Sequence, residues 1–229
     1  MSNAKGAVID KDQCPHTYQG LEGWLFAAPA EPWATLLLAH GAGAGMDSEF
    51  LEQLVAQLLG EGLAVWRFEF PYMAARRTDG RRRPPNPQAQ LLDSWRARVA
   101  DARLRSTGPL VLAGKSMGGR MASLLADELA LPVVCFGYPF HPPGKPDKLR
   151  IAHLQALRMP ALIVQGERDP FGRREEVSGY TLSASVRLHW LVDADHDFKA
   201  LRRSALDQAA LIREAARQTA AFVRQQLSD

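Results

Sequence analysis

Short apolar segments alternate with longer amphipathic segments from about residue 34 to the end of the chain. Because crossover helices join the strands of a parallel sheet, this alternation predicts an α/β protein. The predicted parallel strands are Thr35–Ala39, Ala64–Phe70, Leu110–Ala113, Val133–Tyr138, Ala161–Gln165 and Val186–Leu191. An antiparallel edge strand is predicted within Tyr18–Ala27. We expect a mostly parallel, doubly wound sheet with helices on both faces, formed by residues 1–229 as one domain.

The amphipathic segments carry apolar residues at spacings of three and four, the period of a helix with one buried face. Helices are predicted from Asp47 or Ser48 to about Leu59, over Gln88–Arg105, over Met117–Ala130, from Asp147 to Leu157, and along an apolar stripe from Ala205 to Leu227. The segment Pro71–Pro87 holds four prolines and five arginines and is predicted to be irregular. Long irregular loops in compact proteins are often functional.

Composition narrows the class of protein. The chain has 229 residues, 46% of them apolar, which is enough for a sizeable core. No segment reaches the ~18 consecutive apolar residues of a membrane span, and the first residues do not resemble a secretory signal, so we expect a cytoplasmic protein that does not enter a membrane. Cys14 and Cys135 are too few for a disulfide framework and lack metal-ligand spacing, so no metal is expected.

The net charge of +3 comes from one segment. Five arginines (Arg76, Arg77, Arg81, Arg82 and Arg83) and Asp79 contribute +4, which leaves −1 for the rest of the chain. We therefore do not expect a nucleic-acid-binding protein. Three interpretations of the arginine segment stay open: a solvated loop, a recognition element for an anionic acyl or leaving group, or a contact for a macromolecular partner.

A candidate nucleophile lies between a strand and a helix. The sequence Gly114-Lys-Ser116-Met-Gly118 follows the apolar strand at Leu110 and begins a helical segment, which is the setting that a G-x-S-x-G nucleophile elbow requires. The serine of such an elbow lies on a sharp turn, and glycines on both sides let the strand and the helix approach closely. A phosphate-binding P-loop is excluded because Pro109 stands where its first glycine would be.

Negative charge that develops on a carbonyl oxygen during serine attack needs backbone N–H donors. One is the amide of Met117, at the start of the helix after the nucleophile. The second is expected in the segment His40-Gly-Ala-Gly-Ala-Gly45, where we assign Ala42 and keep Gly43 as the neighbouring alternative. For His40 a structural role in this loop is expected. A dinucleotide-binding fingerprint is disfavoured because Met46 stands where its third glycine would be.

A nucleophilic serine also needs a base and an acid, which follow it in the order Ser, Asp, His in this architecture. His196 lies in a polar loop between the last strand and the last helix, whereas His189 lies within a strand. Asp169 follows the strand at Ala161, and Glu167 and Asp147 are alternatives. The sequence predicts Ser116, Asp169 and His196 as a catalytic triad.

These residues resemble the α/β-hydrolase fold over nearly the whole chain. More narrowly, the motifs His40–Ser48, Phe70–Met73, Gly114–Arg120, Tyr138–Lys145 and Gln165–Asp169 resemble small bacterial hydrolases of the KANL/Tex type, which are related to dienelactone hydrolases. The resemblance implies the triad above and hydrolysis of a carboxylic ester or a similar acyl bond without a cofactor. Dienelactone hydrolases carry a cysteine nucleophile where this chain has Ser116, so dienelactone turnover is not expected.

The space around the nucleophile is expected to be open. Only eight residues separate Tyr138 from Asp147, which leaves no room for a cap domain. We expect a shallow pocket for a small-molecule acyl substrate, walled by this proline-rich turn and by Pro71–Pro87, with Tyr72 and His141 as pocket residues. The alternative function is that of a catalytically idle scaffold that binds a protein or an anionic partner through Arg76–Arg83. The sequence does not indicate an oligomeric state.

Overall fold

The computed structural model describes residues 19–21 and 23–228. Eight strands form one sheet: β1 (Gln19–Leu21), β2 (Trp24–Ala27), β3 (Ala34–Ala39), β4 (Leu63–Phe68), β5 (Leu110–Lys115), β6 (Val133–Phe136), β7 (Ala161–Gly166) and β8 (Val186–Leu191). Their spatial order is β1-β2-β4-β3-β5-β6-β7-β8. The strands from β4 to β8 in this order are parallel, and the hairpin β1–β2 adds an antiparallel edge. The predicted α/β fold is confirmed.

The described residues also form six helices: α1 (Glu49–Gly60), α2 (Pro71–Asp79), α3 (Gln88–Arg105), α4 (Met117–Leu129), α5 (Arg174–Val177) and α6 (Gln208–Ser228). Successive strand residues face opposite sides of the sheet. In β3, Leu36 and Leu38 pack in a core that includes buried residues of α1 and α6, whereas Leu37 and Ala39 pack in a second core that includes residues of α3 and α4. The sheet is therefore covered on both faces, as expected for a parallel sheet.

Two predicted strands end two residues earlier than expected, and in each case a side chain accepts the backbone amide of the last predicted residue. The Phe70 amide donates to His40 Nε2 (3.1 Å), and β4 ends at Phe68. The Tyr138 amide donates to Gln165 Oε1 (2.7 Å), and β6 ends at Phe136. The residues of the predicted edge strand that the structure describes form the hairpin β1–β2, and Tyr18 and Cys14 lie outside the described residues.

The segment Pro71–Pro87 is not irregular throughout, which corrects the prediction. Residues Pro71–Asp79 form α2, with proline at its first position, and Gly80 follows it with a left-handed φ of 73°. Proline at the start and glycine just past the end of a helix are both favoured. The prolines after Gly80 obscured this signal in the sequence.

Two further helix predictions need correction. The segment from Asp147 to Leu157 forms turns, because the Arg150 amide donates to Phe140 O (2.7 Å) rather than along a helix. The last helix begins at Gln208, three residues after the start of its predicted stripe, where Asp207 Oδ1 accepts the Ala210 amide (2.8 Å) as a cap.

The connection between β6 and β7 contains turns and no helix among the described residues, and no cap domain is present there. Across the described part of the chain, no helix is long and apolar enough to cross a membrane. Cys135 is buried in β6 as a free thiol, and burial raises its pKa.

Candidate active site

Ser116 lies on the sharp turn between β5 and α4. Its φ of 50° is in the left-handed region, which is strained for a residue with a side chain. The turn needs two glycines, since a Cβ on Gly114 would lie 2.2 Å from Gly119 N and a Cβ on Gly118 would lie 2.5 Å from His40 O. The backbone geometry is therefore that of the predicted nucleophile elbow.

Asp169 is completely buried just beyond the end of β7, and both of its carboxylate oxygens accept hydrogen bonds. Oδ1 accepts the Phe171 amide (2.8 Å), and Oδ2 accepts Gln165 Nε2 (2.9 Å) and His196 Nδ1 (2.7 Å). Charge-assisted bonds of this kind hold a carboxylate in one orientation. The structure thus brings the predicted acid and the predicted base together.

The His196 ring also packs against Phe171 and faces a cavity. The centroids of the two rings lie 4.4 Å apart. His196 and Ser116 both line a cavity of about 470 Å³. Within the described part of the chain no hydrogen bond joins Ser116 Oγ to His196. Such catalytic bonds are often long in the free enzyme and shorten with substrate.

The loop after β3 presents backbone amides beside Ser116. Tyr72 Oη lies 3.2 Å from Gly41 O and 3.0 Å from Ala42 O, so its hydroxyl donates to these carbonyls. The peptide bonds are trans, and N–H and C=O therefore point in opposite directions. The amides of Ala42 and Gly43 consequently point away from Tyr72, and both residues line the cavity. Either can serve as the predicted second donor.

His40 supports this loop as a neutral side chain. Its Nδ1 donates to Gly41 O (2.6 Å), and its Nε2 accepts the Phe70 amide (3.1 Å). This pattern requires the neutral imidazole with its proton on Nδ1. Burial lowers the pKa of His40, which favours that form. The arrangement agrees with the structural role expected for His40.

The cavity walls differ from the prediction. Besides Ser116, Phe171 and His196, they are formed by the loop after β3, the first residues of α1, Lys115, Asp197, Lys199 and Gln208. Neither Pro71–Pro87 nor the proline-rich turn after Tyr138 lines it. Tyr72 is buried behind the loop after β3, and His141 is buried with its Nδ1 donating to Pro142 O (2.9 Å). Both were predicted as pocket residues, and the structure places both outside the cavity lining.

Part of the arginine segment is paired with carboxylates. Arg77 binds both carboxylate oxygens of Asp47 (2.9 Å each) and also Glu69 (2.6 Å between Nη2 and Oε1). Arg83 pairs with Asp79. Two of the five guanidinium groups are therefore neutralised by carboxylates, and Arg77 ties α2 to the loop after β3.

Two buried polar residues were missed by the sequence analysis. Gln165 orients Asp169, and Lys115 lies beside Ser116 with its side chain 8% exposed. Each lies near the end of an otherwise apolar strand. Because a buried polar group needs a hydrogen-bond partner, a polar residue at such a position could have indicated a role beside the site.

Comparison with known proteins agrees with the fold. The family described as alpha/beta hydrolase domain matches residues 32–224. Among solved structures, an alpha-beta serine hydrolase homologue from Coxiella burnetii is 20% identical, with a TM-score of 0.64 over 86% of this chain and 90% of that chain. A serine hydrolase without a lid from Xanthomonas campestris is also 20% identical, with a TM-score of 0.64 over 89% and 94%.

A dienelactone hydrolase from Anabaena variabilis is 19% identical, with a TM-score of 0.66 over 92% of this chain and 97% of that chain. At these identities the likeness concerns the fold. The family match, in contrast, spans most of the sequence and includes Ser116, Asp169 and His196. The chain belongs to the alpha/beta hydrolase domain family.

Proposed function

We propose that the protein is a serine hydrolase that cleaves a small carboxylic ester or a related acyl bond through Ser116, His196 and Asp169. One observation carries the proposal: Ser116 and the Asp169-bonded His196 line the same cavity, next to the backbone amides of the loop after β3. The motifs that resemble KANL/Tex-type hydrolases support a narrower assignment to that group.

The reaction follows from the roles of these groups. His196 Nε2 takes the Ser116 proton as Ser116 Oγ attacks the substrate carbonyl carbon. The amides of Met117 and of Ala42 or Gly43 stabilise the resulting oxyanion. Collapse of the tetrahedral intermediate expels the alcohol, which receives the proton from His196, and leaves an acyl-enzyme. Water then attacks the acyl group with His196 as base and releases the acid.

Substrate size and charge follow from the cavity. Its volume of about 470 Å³ suits a small acyl group, and its aromatic walls, Phe50 and Phe171, favour an apolar one. Of the two lysines on the cavity wall, Lys115 is paired with Asp197, whereas Lys199 has no carboxylate partner among the described residues. We expect neutral esters to be hydrolysed, and a series of acyl charges tests whether Lys199 adds a preference for anionic ones.

A panel of p-nitrophenyl esters and thioesters, graded by acyl length and charge, tests the function. We expect turnover of short neutral esters and a loss of at least about 10³-fold in kcat for Ser116→Ala. Ser178→Ala, an exposed serine whose hydroxyl bonds within its own turn, is the matched control and should keep wild-type rates. Equal rates for Ser116→Ala and wild type would refute the proposal.

A further inference from the structure

Lys115 is a buried charged residue that the mechanism above does not use. It is the last residue of β5 and directly precedes Ser116. Its side chain is 8% exposed. Burial of an ammonium group is costly unless it is paired and hydrogen-bonded, so its partners indicate why it is there.

The Lys115 ammonium has three neighbours. Nζ donates to the backbone oxygen of His196 (2.9 Å), lies 3.3 Å from Asp197 Oδ1, and lies 5.3 Å from the centroid of the Phe50 ring. The carbonyl and the carboxylate belong to the loop that carries the base, and the ring belongs to α1. The charge of Lys115 is thus compensated by groups of the protein itself.

A Cβ on Gly41 would lie 3.6 Å from Lys115 Cγ, so the lysine stem lies next to the loop that carries the proposed oxyanion donors. Lys115 therefore lies beside the loop after β3, directly precedes the nucleophile, and bonds to the backbone of the base.

His196 is held both at its ring and at its backbone. Asp169 bonds the ring at Nδ1 and Phe171 packs against it, but neither contact fixes the backbone of His196. The bond from Lys115 links the peptide of His196 to β5, to which Ser116 is joined covalently. Both the ring contacts and the backbone bond therefore bear on the distance from Nε2 to Ser116 Oγ.

We propose that Lys115 is a positioning residue that ties the His196 backbone to the nucleophile strand and so sets the distance from base to nucleophile. The proposal rests on the function proposed above. Burial lowers the pKa of Lys115, while Asp197, Asp169 and Asp195 act in the opposite direction and favour the charged form.

Lys115→Met tests the proposal because methionine keeps much of the stem and removes the charge and the donors. We expect kcat for a short ester to fall about 10- to 100-fold, because a shift of about 1 Å in a reacting group costs up to about 10² in rate. KM should change less than kcat, since methionine keeps the apolar stem on the cavity wall and the main change is in the position of the base. The melting temperature should not fall, because a buried charge is removed and its partner Asp197 is exposed. Lys148→Met, at an exposed position, is the matched control.

Amide hydrogen exchange of residues 195–199 gives a readout that does not depend on activity. These amides should exchange faster in Lys115→Met than in wild type, with unchanged exchange in α4. Wild-type kcat in Lys115→Met, unchanged exchange in this loop, or a loss of activity that parallels a lower melting temperature would overturn the proposal. If the wild-type protein hydrolyses no ester, the proposed function fails. Faster exchange of residues 195–199 in Lys115→Met would still show that Lys115 holds the His196 loop in place.

Discussion

Ser116 and His196 face the same cavity but are held in place in different ways. Ser116 is positioned by its own backbone: a left-handed φ of 50° and two glycines whose neighbours leave no space for a Cβ. His196 is positioned by side chains from elsewhere in the chain. Asp169 bonds its ring, Phe171 stacks on it, and Lys115 bonds its carbonyl from 81 residues away.

This difference predicts that changes at the two residues damage different properties, the stability of the fold in one case and catalysis in the other. A change at the nucleophile turn forces backbone atoms to move and should damage the fold. A change around the base removes a hydrogen bond or a charge and should damage catalysis while the fold persists. The following predictions test this separation, beginning with the largest effect.

Gly114→Ala should have the largest effect, on stability. The new Cβ would lie 2.2 Å from Gly119 N and 2.4 Å from Gly118 C, which are backbone atoms that cannot rotate away. We expect a loss of about 3 kcal/mol or more in the free energy of unfolding, measured by denaturant titration. Gly108→Ala is the control, because nothing lies within 4 Å of its Cβ position. A Gly114→Ala protein as stable as that control would contradict backbone positioning of the nucleophile.

Asp169→Asn should keep the fold and lose activity. The amide nearly matches the carboxylate in shape, but it cannot stabilise a positively charged His196 and favours the wrong tautomer. We expect kcat to fall about 10²- to 10⁴-fold, measured with a short p-nitrophenyl ester. Asp147→Asn is the matched control and removes one of the two alternative acids, an aspartate in an exposed loop. If the two variants lost activity equally, the assignment of Asp169 as the acid would be wrong.

Tyr72→Phe should have an intermediate effect. The variant loses the hydroxyl that donates to the carbonyls of Gly41 and Ala42 and so orients the amides of Ala42 and Gly43. Burial raises the pKa of Tyr72 to about 12, so the hydroxyl stays protonated at ordinary pH. We expect kcat to fall about 10-fold, less than the loss of a direct oxyanion donor, and stability to fall by about 1 kcal/mol. Tyr180→Phe is the control. Equal kcat values in the two variants would show that the Tyr72 hydroxyl does not support the oxyanion loop.

The smallest effect on activity is expected at a second serine–histidine pair. Ser123 Oγ lies 2.9 Å from His153 Nε2, but no carboxylate bonds this histidine in the described residues. Burial and the nearby Arg120 lower the pKa of His153 to about 4. The unfolded chain therefore binds a proton between pH 6.5 and about 4 that the native protein does not, and stability should decrease as pH falls through this range.

His153→Gln should remove that part of the pH dependence and leave ester hydrolysis unchanged. Melting temperatures of the two proteins, measured from pH 7 to pH 4, provide the comparison. An equal slope for both, or a large loss of activity in the variant, would show that His153 has a different role.

The features that could be predicted from the sequence are those that short stretches of the chain reveal by themselves. The elbow glycines, the six parallel strands and the order Ser, Asp, His are all visible in short motifs or in hydrophobic periodicity. Helix α2 was missed because prolines and arginines after Gly80 obscured its end signals. The cavity walls were placed wrongly because the loop after β3, the start of α1 and the His196 loop enclose the nucleophile, rather than the segments that follow β4 and β6.

Support for the base could not be predicted in the same way. Lys115 and Gln165 act through contacts with residues distant in sequence, such as the carbonyl of His196 and the amide of Tyr138. Each stands at the end of an apolar strand, where a polar residue indicates a buried partner without identifying it.

Reaction with a fluorophosphonate tests whether Ser116 is an activated nucleophile, because it requires an activated serine and no knowledge of the substrate. We expect one adduct per chain, located on Ser116 by peptide mass spectrometry. The rate of its formation should fall strongly in His196→Ala, and the adduct should be absent in Ser116→Ala. No adduct on the wild-type protein, or an adduct on another residue that persists in Ser116→Ala, would show that Ser116 is not the nucleophile.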